Sequence, residues 1–409
     1  MHGVPYYETR LNASALRAQV PPFHVMKVWA AAAERGRTHG DVVNLSAGQP
    51  STPAPADVRA AGIRAIDRQV LGYSDPLGVR ELREAIAGHH RRRYGDDTVT
   101  ADDVVVTTGG SGGFLLSFLA TFDAGDTVVL ARPGYPCYRN VLSSLGCRVV
   151  ELPCGPETGF QPTVAMLEEL DEVPAGLIVA SPANPTGSVI EPAELAALAQ
   201  WCDEHGTQFV SDEIYHGIEY GYGPPSASAW STSHEAIVVN SFSKYWSMTG
   251  WRLGWLLVPE RLRRAVEVIS GNFTICPPVP AQRAALGAFT DSSYAEADAH
   301  VARYAVNRKL LLDGLPSIGL TRLAPADGAF YVYADIAHLT GDTLAFGRRL
   351  LAETGVAVAP GIDFDPVDGH SWIRLSFAGA TEDIREALDR LGRHLPGRDH
   401  RIAIQGEHR

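Results

Sequence analysis

The chain has 409 residues, 45% of them hydrophobic and 20% charged, with a formal net charge of -12. That composition describes an ordinary soluble globular protein with room for two domains, because single cores stop growing near ~250–300 residues. The acidic balance argues against nucleic acid or an anionic membrane as the general partner, and without a run of 18 apolar residues no spanning helix is expected.

The N-terminus, MHGVPYYETRLNAS, lacks an apolar signal core. The five cysteines, Cys137, Cys147, Cys154, Cys202 and Cys276, contain no CxxC pair. A disulfide framework or zinc site is therefore not expected, and a reduced, cytoplasmic setting fits best. His89 and His90 are adjacent and no HExxH occurs, so no metal site is expected either.

In chain order, residues 1–20 read as an extended arm and 24–35 as an alanine-rich helix. Val42–Leu45 is a brief strand, 56–69 a helix, 72–78 a turn-rich loop and 79–93 a helix with a basic end, Arg91-Arg92-Arg93. From about residue 103 short apolar strands alternate with helices. Strands are expected at 104–106, 128–130, 147–151, 177–180, 208–210, 236–239 and 253–258. Helices are expected at 114–122, 137–145 and 191–204. Such alternation implies crossover connections and a mostly parallel sheet.

After Pro259 a long helix is expected, broken near Cys276-Pro277-Pro278, then helices at 281–289 and 293–314. The strands 330–333, 356–358 and 372–377 with helices 342–354 and 382–395 read as a smaller α+β unit. The tail 396–409 is polar. The expected division is 1–50 as arm and part of the small domain, 51–290 as the large domain, and 291–395 as the C-terminal small domain.

Polar clusters follow the strands at 107–113, 132–136, 181–187, 211–215 and 241–244, where ligands bind in open α/β sheets. The last contains Lys244. Lysine and arginine total 35, yet the only lysines are Lys27, Lys244 and Lys309. A lysine among so many arginines suits a task arginine cannot do, such as acting as an amine nucleophile toward an aldehyde cofactor. Ser241, Ser243 and Arg252 offer donors to an anion beside it. A solvated lysine in a polar loop is the plain alternative.

Gly109-Gly110-Ser111-Gly112-Gly113 lies between a strand and a helix, a setting in which backbone N–H groups approach a phosphate or merely make a tight turn. It also satisfies Gly-x-Ser-x-Gly, the elbow of a serine hydrolase, with His370 as the available histidine. No HGGG segment accompanies it, and Lys244 and Arg252 would go unused. Asp212 suits a cationic ring nitrogen or a helix cap. Asn184-Pro185-Thr186-Gly187 is a turn by composition. Tyr73, Tyr135 and Tyr215 stack, donate or pack. Arg374, inside the alternating strand Trp372–Phe377, either clamps a carboxylate or faces solvent.

These motifs, in this order, resemble those of the class I/II pyridoxal-phosphate aminotransferases of the aspartate aminotransferase family, over about residues 24–395. They are Tyr73-Ser74-Asp75-Pro76-Leu77-Gly78, the 107–113 loop, Pro133-Gly134-Tyr135-Pro136, Asn184-Pro185-Thr186-Gly187, Ser211-Asp212-Glu213-Ile214-Tyr215, and Ser241-Phe242-Ser243-Lys244 through Gly250-Trp251-Arg252-Leu253-Gly254. The resemblance implies fold type I, a large domain with a mostly parallel central sheet plus a smaller α+β domain, and pyridoxal 5'-phosphate as cofactor.

By the same resemblance Lys244 carries the cofactor aldehyde and moves protons, Asp212 pairs with the pyridine nitrogen, and Tyr135 stacks on the ring. Tyr215 and Asn184 would serve its phenolic oxygen, and Ser111, Gly112, Ser241, Ser243 and Arg252 its phosphate. Tyr73 would come from the other subunit of a homodimer with a shared active site. Arg374, with Asn184 and the Gly48 backbone nearby, would hold the substrate carboxylate.

The expected activity is transamination between an L-amino acid and a 2-oxo acid. Ser111 stands where one bacterial branch of the family has a lysine, and 273–279 is unusually apolar. Both favour a neutral, branched or aromatic donor. An aspartate/glutamate-type aminotransferase, or a lyase, decarboxylase or oxidase on the same fold, is the alternative.

Overall fold

The structure is a computed structural model, described here for residues 14–221 and 226–395. The expected arm falls largely, and the polar tail entirely, outside those residues.

Among the described residues twelve strands form three sheets. The first strand, β1 (Val43–Asn44), is followed by β2 (Val104–Thr107), β3 (Thr127–Arg132), β4 (Arg148–Pro153), β5 (Gly176–Ala180), β6 (Gln208–Asp212), β7 (Ile237–Ser241) and β8 (Gly254–Leu257). Then come β9 (Tyr331–Asp335), β10 (Val356–Ala357), β11 (Ala359–Pro360) and β12 (Trp372–Ser376). The central sheet has seven strands in the order β2-β8-β7-β6-β5-β3-β4. Only β8 runs against the rest, pairing antiparallel with β2 and β7. The mostly parallel α/β sheet expected from the alternating pattern is therefore present.

Every residue of β2, β6, β7 and β8 is buried. Parallel strands covered by helices on both faces need such continuous apolar runs. Alternate residues go to opposite cores. Leu177, Val179, Phe209 and Val238 join the larger hydrophobic cluster, whereas Ile178, Val210, Ile237 and Val239 join a second one with Phe114, Phe118 and Leu142. Burying both faces removes apolar area at about 25 cal/mol per Å² and fixes register, because a one-residue slip would exchange the two sets.

The remaining strands tie the chain's beginning to its end. β1 pairs parallel with β10, and β12 lies between β11 and β9 in an antiparallel sheet. Among the described residues no helix is long and apolar enough to cross a membrane.

Three boundaries differ from expectation for local reasons. The helix placed at 114–122 begins at Gly109 and runs to Thr121, so the glycine cluster is its first turn. The apolar pattern starts only at Phe114, which hid that turn. The helix after Pro259 ends at Phe273, three residues before the Cys276-Pro277-Pro278 break, and resumes at Val279–Ala285. The helix expected at 293–314 spans Asp291–Ser317, with the Thr290 side chain accepting from the Ser293 N–H as its cap.

Candidate active site

Because six strands of the central sheet run one way, their carboxyl ends open on one side. There β5 leads to Asn184, β6 ends on Asp212, β7 ends on Ser241 and β3 leads to Tyr135. Gly254 of β8 pairs with both Thr107 and Ser241, which brings the 109–111 turn, the 241–244 turn and Arg252 side by side. A Cβ at Gly254 would come within 2.7 Å of the Asn240 carbonyl, so glycine is required at this junction.

A cavity of about 200 Å³ lies between these ends, and Gly48, Ser111, Tyr135, Asn184, Asp212, Tyr215, Ser241, Ser243, Lys244, Arg252 and Arg374 all line it. Eleven of the thirteen residues singled out in the sequence thus converge. Gly112 does not. With the helix starting at Gly109, it turns to a separate hollow beside Thr108, Leu115, Phe273 and Pro277, and Gly110 takes the place in the cavity wall. Phe273, Thr274 and Pro277 of the apolar 273–279 segment line that other hollow and not the cavity. Tyr73 is 82% exposed and lies away from the cavity.

Lys244 Nζ reaches across the cavity floor and donates to the Gly48 carbonyl at 2.6 Å. Desolvation, with the nearby Arg374 and Arg252 charges, pulls its pKa down to about 8, against the opposing pull of Asp212. The Asp212 carboxyl is buried, and desolvation raises its pKa to about 6. Tyr138 donates to its Oδ2, and the Ile214 N–H donates to Oδ1 at 3.0 Å. Both bonds favour the anion and limit the rise. The carboxylate is therefore largely ionised above pH 6 inside an apolar wall, ready for a cationic partner.

Arg374 is 2% exposed. Its Nη1 donates to Asn184 Oδ1 at 2.8 Å and its Nη2 to the Ser46 carbonyl at 2.9 Å, while Nε has no hydrogen-bond partner among the described residues. The guanidinium lies 4.3 Å from the Tyr331 ring centroid and 4.7 Å from that of Phe364. Among the described residues no carboxylate forms an ion pair with this buried charge, Asp363 acting on it only at longer range, so an anionic ligand is the natural complement. The solvent-facing alternative for Arg374 is excluded by its burial.

On the opposite side, Arg252 adopts φ +53 and donates to the Thr249 carbonyl at 2.8 Å. Gly109, at φ +73, lies so close that a Cβ there would come 2.5 Å from Arg252 Nη2. The Ser241 and Ser243 hydroxyls are 2.9 Å apart, and the Ser243 N–H donates to Ser241 Oγ at 3.1 Å. With Ser111 in the first turn of a helix, this corner gathers hydroxyls, a guanidinium and orphan N–H donors, a setting suited to a phosphate.

The third wall comes from the beginning of the chain. The helix His24–Thr38 is capped from afar, with the His24 and Val25 N–H groups donating to Asp363 at 2.8 and 2.7 Å. That cap holds Phe23, Val25 and Trp29 against the cavity. Sequence reasoning missed them, and it also missed Tyr138, Tyr331 and Thr249. The hydrolase alternative finds no support, since His370 is exposed and bonded to the Val367 carbonyl rather than placed near Ser111.

Residues 40–391 match the family described as aminotransferase class I and II. The chain is 64% identical over 382 residues to a valine–pyruvate aminotransferase of Mycobacterium tuberculosis, covering 93% of this chain and 98% of that one. It is 37% identical to an aspartate/prephenate aminotransferase of Thermus thermophilus, covering 91% and 96%. Among solved structures, an aminotransferase from Mycobacterium tuberculosis superimposes with a TM-score of 0.93 at 64% identity, over 94% of this chain and 99% of that one.

Proposed function

The chain belongs to the class I and II aminotransferases, enzymes of fold type I, and from that premise we propose that it binds pyridoxal 5'-phosphate and moves an amino group from a neutral L-amino acid to a 2-oxo acid. The convergence of Lys244, Asp212 and Arg374 on one cavity carries the reading. It supplies an amine of lowered pKa, a buried carboxylate and a buried guanidinium that forms no ion pair among the described residues.

The residues present fit the cofactor. A methyl at Gly109 would displace Arg252, and one at Gly110 would approach Ile214 Cδ1 to 2.6 Å, so backbone and guanidinium close tightly around the phosphate corner. Ser111, Ser241, Ser243 and Arg252 would hold the phosphate, and Tyr135 would cover the ring. When bound, the cofactor supplies an electron sink for the pair released at the substrate Cα.

The protein groups do the rest. Arg374 holds the α-carboxylate in a planar fork. Asp212 keeps a proton on the pyridine nitrogen. Tyr215 and the NH₂ group of Asn184, whose amide oxygen already accepts from Arg374, would donate to the phenolic oxygen of the bound cofactor. Lys244 Nζ, whose pKa of about 8 leaves part of it unprotonated near neutral pH, removes and returns the Cα proton.

Phe23, Val25 and Trp29 present apolar surface where a substrate side chain would lie. Among the described residues the cations lining the cavity are Lys244, Arg252 and Arg374, each already assigned, and Ser111 brings no further charge. A branched or aromatic side chain is therefore favoured over an acidic one, in keeping with the name of the relative at 64% identity. We also propose a homodimer in which the exposed Tyr73 reaches the phosphate of the other subunit. Incubating the cofactor-loaded enzyme with single amino acids, and following loss of the lysine-bound visible band with release of the matching oxo acid, tests the reading. An enzyme that releases ammonia or carbon dioxide instead is a lyase or decarboxylase.

A further inference from the structure

Tyr331 opens β9 and lines the cavity, yet nothing above gives it a task. It touches three groups that do have one. Its hydroxyl is 2.7 Å from the Tyr215 hydroxyl. Its ring carries the Arg374 guanidinium at 4.3 Å. A Cβ on Gly48 would lie 2.8 Å from its hydroxyl, and the Gly48 carbonyl is the acceptor of Lys244.

Tyr331 is also held rigidly. Its backbone pairs with Ser376 of β12, it is 1% exposed, and the Tyr215 ring meets it edge-on at 5.7 Å. A hydroxyl fixed that firmly against another is a designed contact rather than loose packing.

Two phenols have one proton each and share one bond here. If Tyr215 donates to Tyr331, its proton is consumed and it has nothing to offer the cavity. If Tyr331 donates, the Tyr215 proton is free to point inward. Arg374 decides between them. Its charge is permanent and reaches both phenols, but it sits over the Tyr331 ring and favours negative charge there more strongly than on Tyr215, which makes Tyr331 the better donor. Lys244 lies farther from Tyr215, at 5.7 Å from its ring, and loses its charge in use.

We propose that Tyr331 is a positioning residue that donates to Tyr215, fixes Tyr215 as the donor to the cofactor's phenolic oxygen, and links that donor to the carboxylate-binding Arg374. The inference rests on the cofactor reading above. Hydrogen bonds in series polarise one another, so the Tyr331 bond strengthens the one Tyr215 makes. Loss of the Tyr331 hydroxyl would leave more negative charge on the phenolic oxygen and hold the neighbouring lysine-derived N–H proton more tightly.

The test uses cofactor-loaded Tyr331→Phe, Tyr215→Phe and the double variant. Phenylalanine keeps the ring beneath Arg374 and against Gly48, so KM for the amino donor should change little. The pH midpoint of the lysine-bound visible band should rise in Tyr331→Phe, and kcat should fall by roughly 3- to 10-fold, the scale of one net hydrogen bond. The double variant should match Tyr215→Phe alone, because Tyr331 acts only through Tyr215. An unchanged midpoint in Tyr331→Phe, or a double variant in which the two shifts add, would overturn the inference while the cofactor reading stands. Absence of the visible band from the unsubstituted enzyme would instead overturn the cofactor reading and this inference with it.

Discussion

Lys244 Nζ donates to the Gly48 carbonyl at 2.6 Å across 196 residues of sequence. The bond joins the turn after β7 to the segment after β1, which itself pairs with β10 near the chain's end. The amine that performs the chemistry is thereby placed between the central sheet and the strands that carry Arg374. The bond also favours the charged amine, so the lowered pKa arises in spite of it, from burial and the two arginines.

Replacing Lys244 by alanine removes both the attachment point and the base. The variant should lose the lysine-bound visible band, and kcat should fall by roughly 10²–10⁴-fold, the usual scale of a general base. Absorbance and single-turnover kinetics check this. Lys244→Arg keeps charge without a deprotonatable amine and should be as inactive.

Asp212 trades stability for function. Its folded pKa, about 6, lies above the ordinary 3.8, so between those values the folded protein binds more protons than the unfolded chain. Stability of the cofactor-free protein therefore falls as pH rises through that window, by roughly 3 kcal/mol at most, and stays lower above it. Asp212→Asn should raise the melting temperature of the cofactor-free protein at pH 7–8. That gain should vanish below pH 4, and activity should be lost throughout. Thermal unfolding across pH checks the direction.

Lys244 acts in the opposite sense. Its folded pKa, about 8, is below the usual 10.5, so the charged amine is a burden that lifts as pH rises through that window. The cofactor-free protein should thus carry both unfavourable charges between pH 6 and 8, where occupancy of the site should stabilise it most. Melting temperatures with and without pyridoxal phosphate at pH 5, 7 and 9 check this.

Arg374→Lys keeps the charge but loses the fork that bonds Asn184 and the Ser46 carbonyl. Amino-donor kcat/KM should fall by roughly 100-fold, largely through KM, with the visible band retained. Steady-state kinetics with spectra of the same samples separate this from a cofactor defect.

Gly109→Ala places a methyl 2.5 Å from Arg252 Nη2 at a backbone φ of +73. Both strain and displacement of Arg252 oppose it, at a cost of about 1–3 kcal/mol. Cofactor affinity should fall at least tenfold by equilibrium titration, with Lys244 chemistry otherwise intact.

The strand-end clusters made much of the site legible in advance. Asn184, Asp212, Ser241 and Lys244 each follow an apolar run, and parallel strands leave their ends on one side. Tyr331 was hidden because it lies in the apolar run Phe330-Tyr331-Val332-Tyr333, where a tyrosine reads as packing. Tyr138 was hidden inside a helix. Phe23, Val25 and Trp29 were invisible because the Asp363 carboxylate that places them lies more than 330 residues away. Gly112 is assigned to the phosphate corner by the family resemblance, whereas the first helical turn, which the apolar pattern conceals, puts it against the neighbouring hollow. The alternating strand pattern alone leaves Arg374 between solvent and a ligand, the family resemblance assigns it to the substrate carboxylate, and its burial removes the solvent-facing alternative.

The most direct test of the account is a single half-reaction. Cofactor-loaded enzyme, mixed separately with L-valine, L-phenylalanine and L-aspartate, should lose its lysine-bound visible band and release one equivalent of the corresponding oxo acid. The two neutral donors should react faster than aspartate, and Lys244→Ala should show no such change. Release of ammonia or carbon dioxide without an equivalent of oxo acid, or a clear preference for aspartate, would contradict it.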